Sequence, residues 1–205
     1  MKKLCFILYL LYSTIVYSQI NNEPIRIKKD AFKINILSPA YSNFSFSFQH
    51  LFTPYKSFNL TIGYLDFDSR KRLFSIDNRR VQGFSIIPEF RLNLTGYGLN
   101  GFYLGPYLRY INYYPEIENT IYTNSTKYNY IEKSNLQSLG IGFVIGKQHI
   151  IKNRVLFDYF IGPSYQIILR NTSIIHSESD FLVGISDRYV SGYGIRAGFT
   201  VGIAY

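Results

Sequence analysis

Three groups of side chains in this sequence have types and spacings that could do chemistry. His176-Ser177-Glu178-Ser179-Asp180 puts a base, two hydroxyls and two acids in one short run. Acyl transfer uses those types, but only when base and nucleophile converge at hydrogen-bond distance on a rigid frame. A run along one polar loop does not supply that, and it reads as solvated. Arg70-Lys71-Arg72 with Arg79-Arg80 forms a basic cluster that could hold lipid A phosphates through charge-assisted hydrogen bonds. The plainer reading is a solvated charge run. The third group is dispersed: Lys33, Glu89, Arg91, Arg109, Asp158 and Arg196 each sit inside a stretch of alternating polarity. His50 and His149 stand apart near strand ends, and no metal-ligand spacing is present. No catalytic residue, metal or cofactor is expected, and the chain is read as not an enzyme.

The elements that must position these residues are strands. From Tyr193 to Tyr205 the odd positions are large or apolar and the even ones small or polar, and the sequence stops on that aromatic. Such a period of two marks a strand with two chemically different faces. The same alternation recurs, giving eight expected strands: 32–38, 44–52, 58–64, 81–94, 102–113, 135–148, 154–170 and 193–205. Turns are expected at 39–43, 53–57, 95–101 and 151–153, with longer polar loops at 66–80, 114–134 and 171–192. Apart from the short turn at 39–43, which falls at the end with the long loops, short turns at one end and long loops at the other are the pattern of an eight-stranded antiparallel up-and-down transmembrane β-barrel. Pro88, Pro106 and Pro163 each remove a ladder donor within a strand, so bulges or bends are expected there.

Composition separates a membrane barrel from a soluble one. Charged residues make up 17% of the chain and aromatics 18%, against about 25% charged in an ordinary soluble domain. The small face carries Gly, Ser, Thr and Asn with a few charges, too sparse for a water-facing surface. It fits a narrow eight-strand lumen, just wide enough for side chains, with the large face turned to lipid. Met1-Lys2-Lys3, an apolar run from Leu4 to Val16 and Tyr17-Ser18 read as a secretory signal over 1–18, followed by a polar periplasmic segment over 19–30 and the barrel over 31–205. Cys5 lies within that signal, leaving the mature chain without a thiol. Lys2 and Lys3 account for two of the nine formal positive charges, so the mature chain carries +7. Export makes nucleic acid an unsuitable partner for that charge.

Lys33-Ile34-Asn35-Ile36-Leu37-Ser38-Pro39, Gly101-Phe102-Tyr103-Leu104-Gly105-Pro106-Tyr107-Leu108-Arg109-Tyr110 and Phe160-Ile161-Gly162-Pro163 resemble an uncharacterised family of small outer-membrane β-barrel proteins common in Bacteroidota. The resemblance implies an exported barrel and brings no established activity. By the parity of Tyr205, the six dispersed charges point inward, where they must be paired. An ion network centred on Glu89 and Asp158 is expected, with the excess Arg partly hydrated. The chain is therefore expected in the outer membrane of a Gram-negative bacterium, as a monomer with structural, surface-contact or adhesion duties. Its expected partners are outer-membrane lipid, lipopolysaccharide and the assembly machinery, which would read Tyr205. A lipid-modifying enzyme or a small-solute channel is the alternative.

Overall fold

The computed structural model describes residues 28–37, 43–68, 79–123, 126–152, 154–171, 182–183, 187–188 and 192–205. The expected signal at 1–18, most of the segment at 19–30, Arg70–Arg72 and His176–Asp180 lie outside the described residues. The strands are β1 (Asp30–Asn35), β2 (Asn43–Thr53), β3 (Lys56–Asp68), β4 (Arg79–Asn93), β5 (Gly101–Thr123), β6 (Thr126–Lys133), β7 (Leu136–Ile151), β8 (Val155–Asn171), β9 (Leu182–Val183), β10 (Asp187–Arg188) and β11 (Gly192–Ala204).

Eight of them, β1 to β5, β7, β8 and β11, pair antiparallel in chain order and close into a barrel. The seam joins β11 to β1, with Ala31 opposite Ala204 and Lys33 opposite Gly202. At its edge the Tyr205 amide donates to Asp30 O, and Tyr205 O accepts from the Lys29 and Asp30 amides. Lys29 and Asp30 therefore make the seam's outermost described rungs. We call this end, where the termini meet, the terminal rim and the opposite end the loop rim.

Period-two patterning decides which residues go inside. Along β2, Ser45, Ser47 and Gln49 are buried, whereas Phe44, Phe46 and Phe48 face out. On β3 the same split puts Ser57, Asn59 and Thr61 inside and leaves Ile62 51% exposed on the wall. The outer wall is apolar around the barrel, with Ile86, Leu108, Ile141, Ile161 and Ile195 continuing the band. Aromatics gather at both rims: Tyr55 packs edge-on against Tyr97 at the terminal rim, and Tyr165 against Tyr193 at the loop rim.

The interior is filled by large-against-small pairs across strands. Tyr103 lies opposite Gly146 and Tyr107 opposite Gly142, while Phe160 lies opposite Gly198. A Cβ on Gly142 would come within 2.7 Å of the Tyr107 ring, and one on Gly146 or Gly198 would enter the ring facing it. These glycines, which normally weaken a strand, are the sockets of the buried aromatics. The less regular alternation of β8 has the same cause, since Leu156 and Phe160 are interior filling.

Two expectations are corrected. The polar stretch 114–134 is not a loop: β5 runs on to Thr123 and turns into β6, pairing Glu116 with Lys133 through Thr123 with Thr126. Among the described residues the β4–β5 pairing reaches Arg79 opposite Ile117, and the hairpin continues beyond that rung. A hairpin standing clear of the apolar band needs no apolar face, so its polarity resembles that of a loop. Second, bulges do not sit at the prolines. Register shifts occur instead at Leu51/Thr53 and Gln137/Ser138. Around Pro88 and Pro106 the β4–β5 ladder omits rungs yet keeps register from Ile86↔Tyr110 through Glu89↔Tyr107 to Leu92↔Leu104. Each proline withholds one donor from one neighbour, and the intact ladder on its other side, as in Pro88↔Leu60 and Pro106↔Phe143, fixes the register. The turn expected at 95–101 is present, and it folds over the terminal rim. Gly96 and Gly98 adopt positive φ (85° and 71°) there, and Leu99 packs with Ala31, Leu51, Leu156 and Ala204.

Adding a methyl group at Gly162 drives it into the backbone of Phe143 and Val144, whereas at Gly194 it meets only the Ser164 hydroxyl at 3.1 Å. Gly162→Ala is therefore expected to lower stability by about 1–3 kcal/mol, the usual cost of overpacking, and Gly194→Ala by much less. Urea unfolding in detergent, followed by tyrosine fluorescence, measures the difference.

Candidate functional site

The six charges that sequence parity turns inward are all buried, from 0% exposure at Lys33 and Asp158 to 5% at Arg109 and Arg196. Five of them meet in one network. Asp158 Oδ2 accepts from Lys33 Nζ at 2.8 Å and from Arg91 Nη1 at 2.7 Å. Its other oxygen accepts from the Tyr103 hydroxyl at 2.8 Å. Arg91 reaches back along its own strand, Nε to Glu89 Oε1 at 2.6 Å. Glu89 Oε2 accepts from Arg196 Nη1 at 2.7 Å. The chain of contacts Lys33–Asp158–Arg91–Glu89–Arg196 thereby ties β1, β8, β4 and β11 across the lumen. These side chains meet because the registers put strand positions far apart in sequence at neighbouring heights.

Neutral groups complete the network. Gln49 Oε1 accepts from Lys33 Nζ and from Gln148 Nε2, each at 2.7 Å, and Gln49 Nε2 donates to Ser57 at 2.9 Å. Arg91 stacks over the Tyr103 ring, 4.1 Å from its centroid, and Arg196 lies between the rings of Tyr107 and Phe160 at 4.5 and 4.6 Å. Burying charge in this way is tolerable only because the remaining polar atoms are also met. Arg109 does not join the chain of contacts; it lies nearer the loop rim and hydrogen-bonds Tyr113. The roles of Gln49, Gln148 and Tyr103 escape charge-based sequence reading. Their signal was parity alone, since each falls on the small face of its strand.

Along the barrel axis the lumen changes character. Leu99 and its neighbours seal the terminal rim. The ion network lies above them. Beyond it a cavity of about 60 Å³ reaches Asn35 and Asn43 at the loop-rim ends of β1 and β2. Of the two isolated histidines, His50 in fact has a partner: its Nδ1 lies 2.6 Å from Asp30 Oδ1 on the adjoining strand. Arg80, from the basic cluster, sits 3.6 Å from Asp66 at the half-exposed end of β3. Among the described residues no group of three or more His, Cys, Asp or Glu is placed to hold a metal ion. The network is a set of charge-assisted contacts between strands. What it can do is lock the barrel wall from within.

Fold and lumen define a closed, side-chain-filled antiparallel barrel with its large apolar residues on the outside. The chain belongs to the family described as "Protein of unknown function (DUF3575)", whose model matches residues 4–191. That span includes every network residue except Arg196. Among solved structures the chain is similar to the N-terminal beta-barrel domain of Pseudomonas aeruginosa OprF, with 14% identity and a TM-score of 0.31 over 87% of this chain and 96% of that one. No curated protein matches the sequence.

Removing one partner from a buried ion network leaves the others uncompensated, at a typical cost of about 3–5 kcal/mol. Asp158→Asn and Glu89→Ala are each expected to lose stability on that scale in a refolding titration. Asp66→Asn, whose partner Arg80 is half-exposed, should change it by less than about 1 kcal/mol.

Proposed function

We propose that this chain is an outer-membrane protein, of the small barrels common in Bacteroidota, that spans the bilayer as a monomer and works through surface contact or adhesion at its loop rim. The observation that carries the reading is the inversion of the wall, with its outer face apolar and its charges enclosed. In water such a face would be an association surface far larger than a monomer ordinarily exposes. Facing hydrocarbon it is the favourable arrangement, and closure satisfies the backbone without an edge. The strands support the same reading, since β2 has 11 residues and β3 has 13 where about 9–11 tilted residues cross a bilayer. Rim aromatics such as Tyr55, Tyr97, Tyr165 and Tyr193 then lie at the two interfaces.

With the termini in the periplasm, the β5–β6 hairpin and the start of β4 at Arg79 and Arg80 face outward, where the basic residues would meet lipopolysaccharide phosphates. Tyr205 closes the seam where the assembly machinery would engage the chain. The Leu99 seal and the ion network argue against solute passage.

The purified protein should need detergent and should change gel mobility on boiling; solubility without detergent and unchanged mobility would overturn the reading. Ile62→Arg places a cation on the middle of the wall. It should cost about 2–4 kcal/mol in lipid vesicles, whereas on a water-facing surface it would be nearly neutral. Replacing residues 118–131 by a short glycine turn should leave the heat-modifiable barrel intact while reducing adhesion of intact cells, and planar bilayers should record no stable conductance.

A further inference from the structure

Near the terminal rim, one sector of the outer wall ends its apolar band in positive charge. Along β7 the outward positions Leu139, Ile141, Phe143 and Ile145 are exposed and apolar, and the next outward position is Lys147. Register sets Lys147 between Phe102 of β5 and Tyr159 of β8. Its ammonium lies over the Phe102 ring, 4.9 Å from the centroid, and both flanking rings are exposed on the wall. Lys152 and Arg154 are exposed in the turn that joins β7 to β8.

No acidic side chain in this sector answers these cations. From 136 to 171 the sequence has a single acid, Asp158, which is buried in the ion network. The neighbouring stretches 94–115 and 192–205 have none. On the opposite side of the barrel the rim differs, since His50 of β2 faces Asp30 at 2.6 Å. A cation on an apolar wall is costly unless an anion or the headgroup layer is within reach, and the lysine stem lets the ammonium reach for it. From this combination we infer that the β7–β8 hairpin binds the headgroup of an anionic phospholipid in the leaflet at the terminal rim. Lys147 takes the phosphate, Lys152 and Arg154 add positive charge below it, and Phe102 and Tyr159 flank the glycerol.

The inference rests on the membrane reading proposed above, in which this leaflet is the periplasmic one. A net-negative headgroup suits the sector better than a zwitterionic one, because an ammonium group would find no carboxylate there. The natural chain has no tryptophan, so a single introduced one reports the lipid beside it. Tyr159→Trp puts the reporter next to Lys147. Phe48→Trp puts it on β2, half-way round the barrel from β7. Each full-length protein is refolded into phosphatidylcholine vesicles holding a minor share of phosphatidylglycerol, with brominated chains on one lipid or the other. Quenching then gives the local ratio of the two lipids.

With Tyr159→Trp, phosphatidylglycerol should be enriched roughly threefold over its bulk share, within what one or two basic residues contribute at a membrane surface. With Phe48→Trp the ratio should equal that of the bulk. Adding Lys147→Gln to Tyr159→Trp should return the ratio close to bulk, and adding Lys152→Gln with Arg154→Gln should lower it in part. Heat-modifiable migration identifies which variants are folded. Absence of quenching by either lipid at both reporters would overturn the membrane reading and this inference with it. Quenching at the bulk ratio with Tyr159→Trp, or equal enrichment at the two reporters, would leave the membrane reading standing and overturn the site. Enrichment that is undiminished in folded Lys147→Gln or in the Lys152→Gln, Arg154→Gln pair would overturn it too.

Discussion

Every other feature of this barrel depends on the carboxylate of Asp158 holding two cations, a tyrosine hydroxyl and a glutamine amide at the centre of a narrow lumen. A closed eight-stranded wall has no edge through which a buried charge can reach water sideways. Each charge drawn inside by strand parity must be answered by another strand. Lys33 comes from β1, Arg91 from β4 and Asp158 from β8, so the pairs form only when the sheet has closed. The ion network is thus a check on closure and register as well as a filler. A slip of one residue on any of these strands would turn its charge onto the apolar wall.

Space in the lumen is divided by the same logic. Glycines occur opposite Tyr103, Tyr107, Phe160 and Lys33, where a Cβ would collide with the facing side chain or its backbone. The barrel trades strand propensity at those positions for a close-packed interior. The two ends are treated differently. Leu99, carried by a glycine-rich turn, seals the terminal rim, while the cavity extends toward Asn35 and Asn43 at the other. The lumen is closed at the terminal rim and continues as a cavity toward the loop rim. The β5–β6 hairpin continues from β5 at the loop rim.

Much of this was legible in the order of residues. Strand parity needs no knowledge of partners: alternation in Phe44–Gln49 or Tyr193–Tyr205 states which side chains share a face, and it turned all six charges inward. Closure followed from an even number of such strands and a lumen face rich in glycine. Polarity misled at 114–134, because a strand beyond the apolar band of the wall has no need of an apolar face to reveal it. The prolines misled because a missing donor was read as a bulge, although an intact neighbouring ladder can hold the register.

The sequence by itself determined which residues are inside, since a period of two is a property of one strand. Tertiary structure alone decided who meets whom inside. That Lys33 takes Asp158 and Arg196 takes Glu89, that Gln49 and Gln148 bridge them, and that Leu99 closes the rim all depend on stagger between strands up to 125 positions apart. Stagger is set by the sum of many backbone rungs around a closed wall, and no single stretch of residues contains it.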